Sequence, residues 1–234
     1  MAALIPDSVT ATEIASALGG VDPTDVAVSA AVGRDDGSVW ILGQRPIRVG
    51  SLDIVPADFQ AEPGVLRLID APAFGTGLHP TTALSLEALE DAVRSETPDA
   101  VLDVGTGSGI LALGALVLGV PRAMAIDIDD EALDVAGKNA HLNGLAGRLE
   151  LARGTPDTLT GQWPLVLANV LTAPLIEMGP ALSRRVGRQG LLVLSGIRAT
   201  LASDVDRAYR NAGMRHVAMT SRDGWVALVL RASW

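Results

Sequence analysis

The sequence contains no cysteine. Disulfides, thiolate metal sites and cysteine nucleophiles are therefore excluded, and a cytoplasmic setting is compatible with the composition. Basic residues are in deficit: 18 Lys and Arg stand against 27 Asp and Glu, for a net charge of −9. An acidic chain repels phosphate backbones, so direct nucleic-acid binding is not expected, and a basic protein partner suits it better. Long apolar runs are missing too. The longest, residues 110–120, is interrupted by Gly114 and Gly119 and stops at Pro121. A membrane helix needs ~20 such residues, so no span is expected. The first residues, Met1 to Asp7, lack the basic start of a secretory signal. Histidine is scarce, at three residues, and no His-carboxylate spacing suggests a metal site. There is no internal repeat and no low-complexity segment.

What is present is a globular profile: 234 residues, 48% apolar and 19% charged, enough for one large domain or one domain with a small companion. Residues 1–62 predict a small α+β lobe. Thr10-Ala11-Thr12-Glu13 reads as a capping box ahead of a short helix that stops at Gly19-Gly20. Short β-rich stretches follow around Val26, Val39 and residues 47–55, with Asp36-Gly37 as a hairpin turn. Residues 63–97 start irregularly, pass through the loop Ala73-Phe74-Gly75-Thr76-Gly77-Leu78-His79-Pro80-Thr81-Thr82, and then predict a helix over 81–93.

Residues 98–234 alternate strands and helices, the signature of a parallel, doubly wound sheet with both faces covered. Strands are expected at 101–104, 123–126, 149–151, 165–168, 191–194, 214–219 and 225–230. Helices are expected at 110–118, 131–142, 174–186 and 201–212. The last two strands, joined through Arg222-Asp223-Gly224, should pair antiparallel.

The strongest chemical signal is Val101-Leu102-Asp103-Val104-Gly105-Thr106-Gly107-Ser108-Gly109-Ile110. A strand feeds a glycine turn that opens a helix, where backbone amides point at a ligand. A dinucleotide fingerprint needs its third glycine at position 110, which is Ile110; glycine comes one place early, at Gly109. That disfavours a nicotinamide-dependent dehydrogenase. The pattern Asp-x-Gly-x-Gly-x-Gly is the one class I methyltransferases use. Asp127, at the end of the next strand and about 20 residues on, is placed to accept both ribose hydroxyls of a nucleoside. Asp130 reads instead as a helix cap. Asn169 ends the fourth strand, where an amide carbonyl can orient an amine; a turn asparagine is the competing reading.

These stretches resemble the PrmA-type ribosomal protein L-eleven methyltransferases. The resemblance rests on Phe74 to Thr82 as the family's marker loop, the glycine motif through Ala112, and Ile126-Asp127-Ile128-Asp129 with Asn139 and Asn143-Gly144. It also rests on Ala168-Asn169-Val170-Leu171 with Pro174-Leu175, Leu194-Ser195-Gly196-Ile197, and Gly224 to Leu228. It implies a seven-stranded Rossmann-like sheet and S-adenosylmethionine as cofactor, contacted by Thr82, Asp103, Gly105, Gly107, Asp127 and Asn169. Phe74 and Thr76 would line the acceptor channel, and Asn169 would be the catalytic residue. The implied activity is N-methylation of a lysine or N-terminal amine of ribosomal protein L-eleven. The alternatives are another protein lysine, a small amine, or a non-catalytic cofactor-binding module. Thr82 also reads as a helix-start threonine, and His79 as a structural turn residue rather than a base. The family's substrate-reading domain is ferredoxin-like, and residues 1–62 predict fewer elements than that domain has. With aromatics at 3%, an aromatic cage for a methylated product is not expected.

Overall fold

The computed structural model describes residues 46–60, 62, 64–69 and 79–234, together with Thr12, Ser16 and Asp22. Thr10, Ala11 and Glu13 of the capping box, the strands expected before Pro46, and Phe74 and Thr76 lie outside the described residues. The chain divides into two compact units, Met1–Pro46 and Ile47–Trp234, so the division expected near Glu62 falls inside the second.

The second unit opens with strands β1 (Ile47–Val49), β2 (Leu52–Pro56) and β3 (Leu66–Leu68), which form a three-stranded sheet. The single strand expected over 47–55 is a hairpin. The chain reverses at Gly50 with φ +58°, a left-handed conformation that glycine adopts without penalty. Glu90 accepts a 2.9 Å hydrogen bond from the Ser51 amide and so pins that turn. β3 falls in the segment expected to be irregular and pairs parallel with β2. Three residues, Leu66-Arg67-Leu68, are too few to declare a period of two.

Helix α1 (Pro80–Ser95) leads into the main sheet: β4 (Val101–Val104), α2 (Ile110–Val117), β5 (Ala123–Asp127), α3 (Asp130–Leu142), β6 (Leu149–Arg153) and β7 (Trp163–Asn169). Then come α4 (Thr172–Glu177), α5 (Gly179–Arg185), β8 (Val186–Arg198), α6 (Ala202–Asn211), β9 (Met214–Arg222) and β10 (Trp225–Ala232). The strand order is β6-β5-β4-β7-β8-β10-β9. β4 to β8 run parallel, and β10 is antiparallel to both β8 and β9. Asp223 and Gly224 both carry positive φ, 50° and 78°, which suits the two-residue hairpin turn expected there.

Strand periodicity splits the apolar residues between two cores. Val101, Leu165, Leu167 and Val193 face α1, α2 and the small sheet. Leu102, Val166, Ala168, Leu192 and Leu194 face α4 to α6. Each fully buried leucine contributes ~1.5–3 kcal/mol relative to an exposed one. The helix expected over 174–186 is two helices meeting at Met178. Pro180 lacks an amide proton, and its ring clashes with the carbonyl four residues back, so one continuous helix cannot form. The cap of α3 is Asp129 rather than Asp130, its carboxylate accepting from the Glu131 amide at 2.9 Å.

From β4 the chain winds outward through β5 and β6, then crosses to β7 on the other side. The strand order therefore reverses between β4 and β7. In open α/β sheets, ligands bind at that reversal, outside the carboxyl ends of the strands.

Candidate active site

The loop after β4 takes three left-handed glycines, Gly105 (φ +71°), Gly107 (φ +55°) and Gly109 (φ +82°). The amides of Gly105 and Thr106 both donate to the Ile126 carbonyl, at 2.9 and 3.1 Å, which ties the loop to the end of β5. A Cβ on Gly105 would lie 2.4 Å from Val170 Cγ1, so only glycine allows the loop to approach the end of β7.

Asp103, expected among the cofactor contacts, is fully buried and braces the loop from beneath. Its Oδ2 accepts from the Thr106 hydroxyl at 2.7 Å and the Ala112 amide at 3.2 Å. Burial dominates its titration and raises the pKa from 3.8 to about 6; the Thr106 and Ala112 hydrogen bonds oppose the rise and the charge of Asp127 adds to it.

Asp127 ends β5, half-buried, with its carboxylate at the loop. Oδ2 accepts from the Gly107 amide at 3.0 Å and Oδ1 from the Asp129 amide at 3.1 Å. Each carboxylate oxygen keeps a second lone pair, so the group can still receive a vicinal diol. Beside it Ile128 is 67% exposed, an apolar surface next to a fixed carboxylate.

Asn169 ends β7, also half-buried, and its Nδ2 lies 3.5 Å from Thr82 Oγ1, at the limit of a hydrogen bond. Among the described residues its Oδ1 accepts nothing. Thr82 is fully buried in the first turn of α1. The cap of that helix is His79, whose Nδ1 accepts from the Thr81 amide at 3.2 Å. The His79 ring packs edge-on against Trp225 at 5.0 Å between centroids, and Arg198 covers Trp225 at 4.0 Å. His79 thus caps α1, and Thr82 is not the cap.

Two neighbours beneath the site, in the Leu194 to Ile197 stretch, take roles that the sequence does not specify. The Ser195 hydroxyl lies 3.1 Å from the Thr81 carbonyl and 3.3 Å from the Val226 carbonyl, joining α1 to β8 and β10. Gly196 (φ +81°) sits so close to Val170 that a Cβ would lie 2.0 Å from its carbonyl oxygen. The Thr172 hydroxyl donates to the Gly196 carbonyl at 3.3 Å. Exposed Ile128 and Leu171, the latter 59% exposed, were also beyond reach of periodicity, because an apolar residue at a strand end looks like more strand.

A glycine loop at the strand reversal, a carboxylate ending the adjacent strand and an asparagine across the switch point define a class I methyltransferase. The family model described as ribosomal protein L11 methyltransferase (PrmA) matches residues 3–233. The chain is 39% identical over 218 residues to the ribosomal protein L11 methyltransferase of Geotalea daltonii, covering 87% of this chain and 69% of that one. It is 42% identical over 201 residues to its namesake from Geobacter sulfurreducens, covering 82% and 66%. The chain therefore spans about two thirds of the length of these curated relatives. Among solved structures, the ribosomal protein L11 methylase from Lactobacillus delbrueckii subsp. bulgaricus superposes with a TM-score of 0.72 at 31% identity, over 80% of this chain and 98% of that one. The chain belongs to the ribosomal protein L11 methyltransferase (PrmA) family, whose members are S-adenosylmethionine-dependent protein methyltransferases.

Proposed function

We propose that the chain transfers methyl groups from S-adenosylmethionine to amino groups of ribosomal protein L11, a reaction of the cytoplasm where ribosomes are built. The observation that carries the reading is the pair of strand ends. Asp127 at β5 and Asn169 at β7 flank the glycine loop at the switch point, one suited to a ribose and the other to an amine. Gly105 and Gly107 would hold the amino-acid moiety of the cofactor, Asp127 the ribose diol, and Ile128 the apolar face of the base. Thr82 supports Asn169 from below. Phe74 and Thr76 would line the acceptor channel.

The cofactor supplies an activated methyl group, so the protein's task is placement. The Oδ1 of Asn169 accepts from an amine N–H and turns the nitrogen lone pair toward the methyl carbon. Holding the pair at near-attack distance replaces a bimolecular encounter with a positioned one. Desolvation favours the neutral amine by disfavouring its charged form. No general base is required once the amine is neutral, and His79 is already committed to its cap and to Trp225.

The test uses ribosomal protein L11 from cells lacking this gene, incubated with the chain and S-adenosylmethionine and read by intact mass. A gain in methyl steps is expected. No gain, alongside methylation of an unrelated lysine-bearing protein or a small amine, would move the acceptor elsewhere. Background from the enzyme is small, because Lys138 is the single lysine in the chain.

A further inference from the structure

Helix α3 starts beside Asp127 and, with its C-cap, presents one stripe of residues inward at helical spacing: Ala136, Asn139 and the cap Asn143. Ala136 lies under the glycine loop, where a Cβ on Gly109 would be 3.0 Å from its own Cβ. One turn on, Asn139 is fully buried. Its Nδ2 donates to the Ser108 carbonyl at 2.8 Å, and its Oδ1 accepts from the Ile69 amide at 2.8 Å. The partners settle the amide's orientation, since Ile69 offers only a donor and Ser108 only an acceptor. A further turn on, Asn143 pairs with both backbone groups of Arg67, accepting from its amide at 2.8 Å and donating to its carbonyl at 2.7 Å.

These contacts make two different connections. Asn143 ties α3 to β3 alone. Asn139 ties the end of β3 to the glycine loop through a single amide. Ser108 follows Gly107, whose amide holds Asp127 Oδ2. We infer that Asn139 is a positioning residue for cofactor binding: it braces Ser108 against the small sheet and thereby fixes the Gly107 amide that aims the Asp127 carboxylate. The small sheet is then part of the cofactor site's frame, although none of its residues lies at the strand reversal. This inference rests on the cofactor reading given above, and its test separates the two.

An aspartate at 139 keeps the acceptor for Ile69 but sets a carboxylate oxygen against the Ser108 carbonyl. Proline at 69 deletes the Ile69 donor and leaves Asn139 untouched. The measurements are calorimetric titration with S-adenosylhomocysteine and amide exchange of residues 105–109, on the full chain. Asn139→Asp and Ile69→Pro should each weaken binding about tenfold, equivalent to about 1.4 kcal/mol, and should speed exchange in the loop. At saturating cofactor, kcat should stay within twofold, so the effect falls on affinity. Asn143→Ala should lower the melting temperature yet leave affinity within threefold. Combined with Asp127→Asn, Asn139→Asp should add little further loss, because both act on the same contact.

Unchanged affinity in a folded Asn139→Asp chain would overturn the inference. So would equal losses in all three single variants, which would make the brace generic packing. Should Asn139→Asp fail to fold, Ile69→Pro decides alone: unchanged affinity there would overturn the inference as well. Failure of the unaltered chain to bind S-adenosylhomocysteine would overturn the cofactor reading itself, and this inference with it.

Discussion

Replacing Gly196 with alanine should damage both stability and turnover, and its effects divide cleanly into two causes. The residue has φ +81°, where a Cβ costs ~1–2 kcal/mol. The added carbon would also sit 2.0 Å from the Val170 carbonyl oxygen and 2.7 Å from its carbonyl carbon. Backbone cannot rotate away as a flexible side chain can, and overpacking of this kind costs a further ~1–3 kcal/mol. The sum is roughly 2–5 kcal/mol, a fall in melting temperature of roughly 4–20 °C for a domain of this size. Gly224 is the internal control. Its φ is +78°, and nothing lies within 4 Å of the added carbon, so Gly224→Ala carries the conformational cost alone, roughly 1–2 kcal/mol. The clash also has a direction. It pushes Val170, which follows Asn169, and a displacement of ~1 Å at a positioning group can cost ~100-fold in rate. Thermal unfolding of both variants, with turnover at saturating cofactor, makes the test. Gly196→Ala is expected to melt lower than Gly224→Ala and to lose most of its turnover, while Gly224→Ala stays within twofold of the unaltered chain. Equal melting temperatures with turnover intact would refute the packing argument.

Other perturbations should read out separately. Asp103 titrates near 3.8 when unfolded and about 6 when folded, so the folded state holds its proton more tightly. Stability should therefore fall as pH rises through that window, by on the order of 3 kcal/mol, and level off above it. Asp103→Asn should lack this decline in urea unfolding followed against pH; parallel curves would show that Asp103 is not its source. Glu90 behaves oppositely: the Ser51 amide, helped by Arg94 and Arg48, lowers its pKa below 4.5. Its contribution is present at neutral pH and lost as pH falls, so Glu90→Gln should destabilise the hairpin at pH 7 and make no difference in acid. A pH-independent deficit would contradict this. Tyr209→Phe should cost ~1–3 kcal/mol in denaturant unfolding without altering turnover, because it strips the buried Leu175 carbonyl of its 2.8 Å partner. A neutral result would mean that carbonyl finds another donor.

The β/α alternation of residues 98–234 was legible because the central strands β4 and β7 are largely buried on both faces and the helices between strands are amphipathic or fully apolar, although the edge strands β6 and β9 are largely exposed. β4 appears in the sequence as four apolar or anchored residues, and all four are buried. Failures came where local pattern yields to tertiary contact. β3 is three residues long and exists because Asn143 and β2 hold it. The 47–55 run reads as one strand because the Gly50 reversal depends on Glu90, 40 positions away in sequence. The break at Met178 was readable from Pro180, and the apolar residues on either side concealed it. In the candidate site, spacing and strand ends point to Asp127 and Asn169, which end β5 and β7. The bracing role of Asp103 is not legible, because a buried brace and a ligand contact look alike at the end of a strand. Asn139 and Gly196 owe their importance to residues 31 and 26 positions distant, Ser108 and Val170, and no local pattern encodes such a pairing.

The most direct test of the account is to titrate S-adenosylmethionine into Asp127→Ala and Asn169→Ala chains and to measure methyl transfer by each. Asp127 should carry affinity: loss of hydrogen bonds to a charged group, ~1.5–3 kcal/mol, weakens binding roughly 10- to 100-fold. Asn169 should carry turnover, its removal lowering the rate while cofactor affinity stays within twofold. Wild-type affinity in Asp127→Ala, or wild-type rate and affinity in Asn169→Ala, would contradict the assignment of cofactor and amine to the two strand ends.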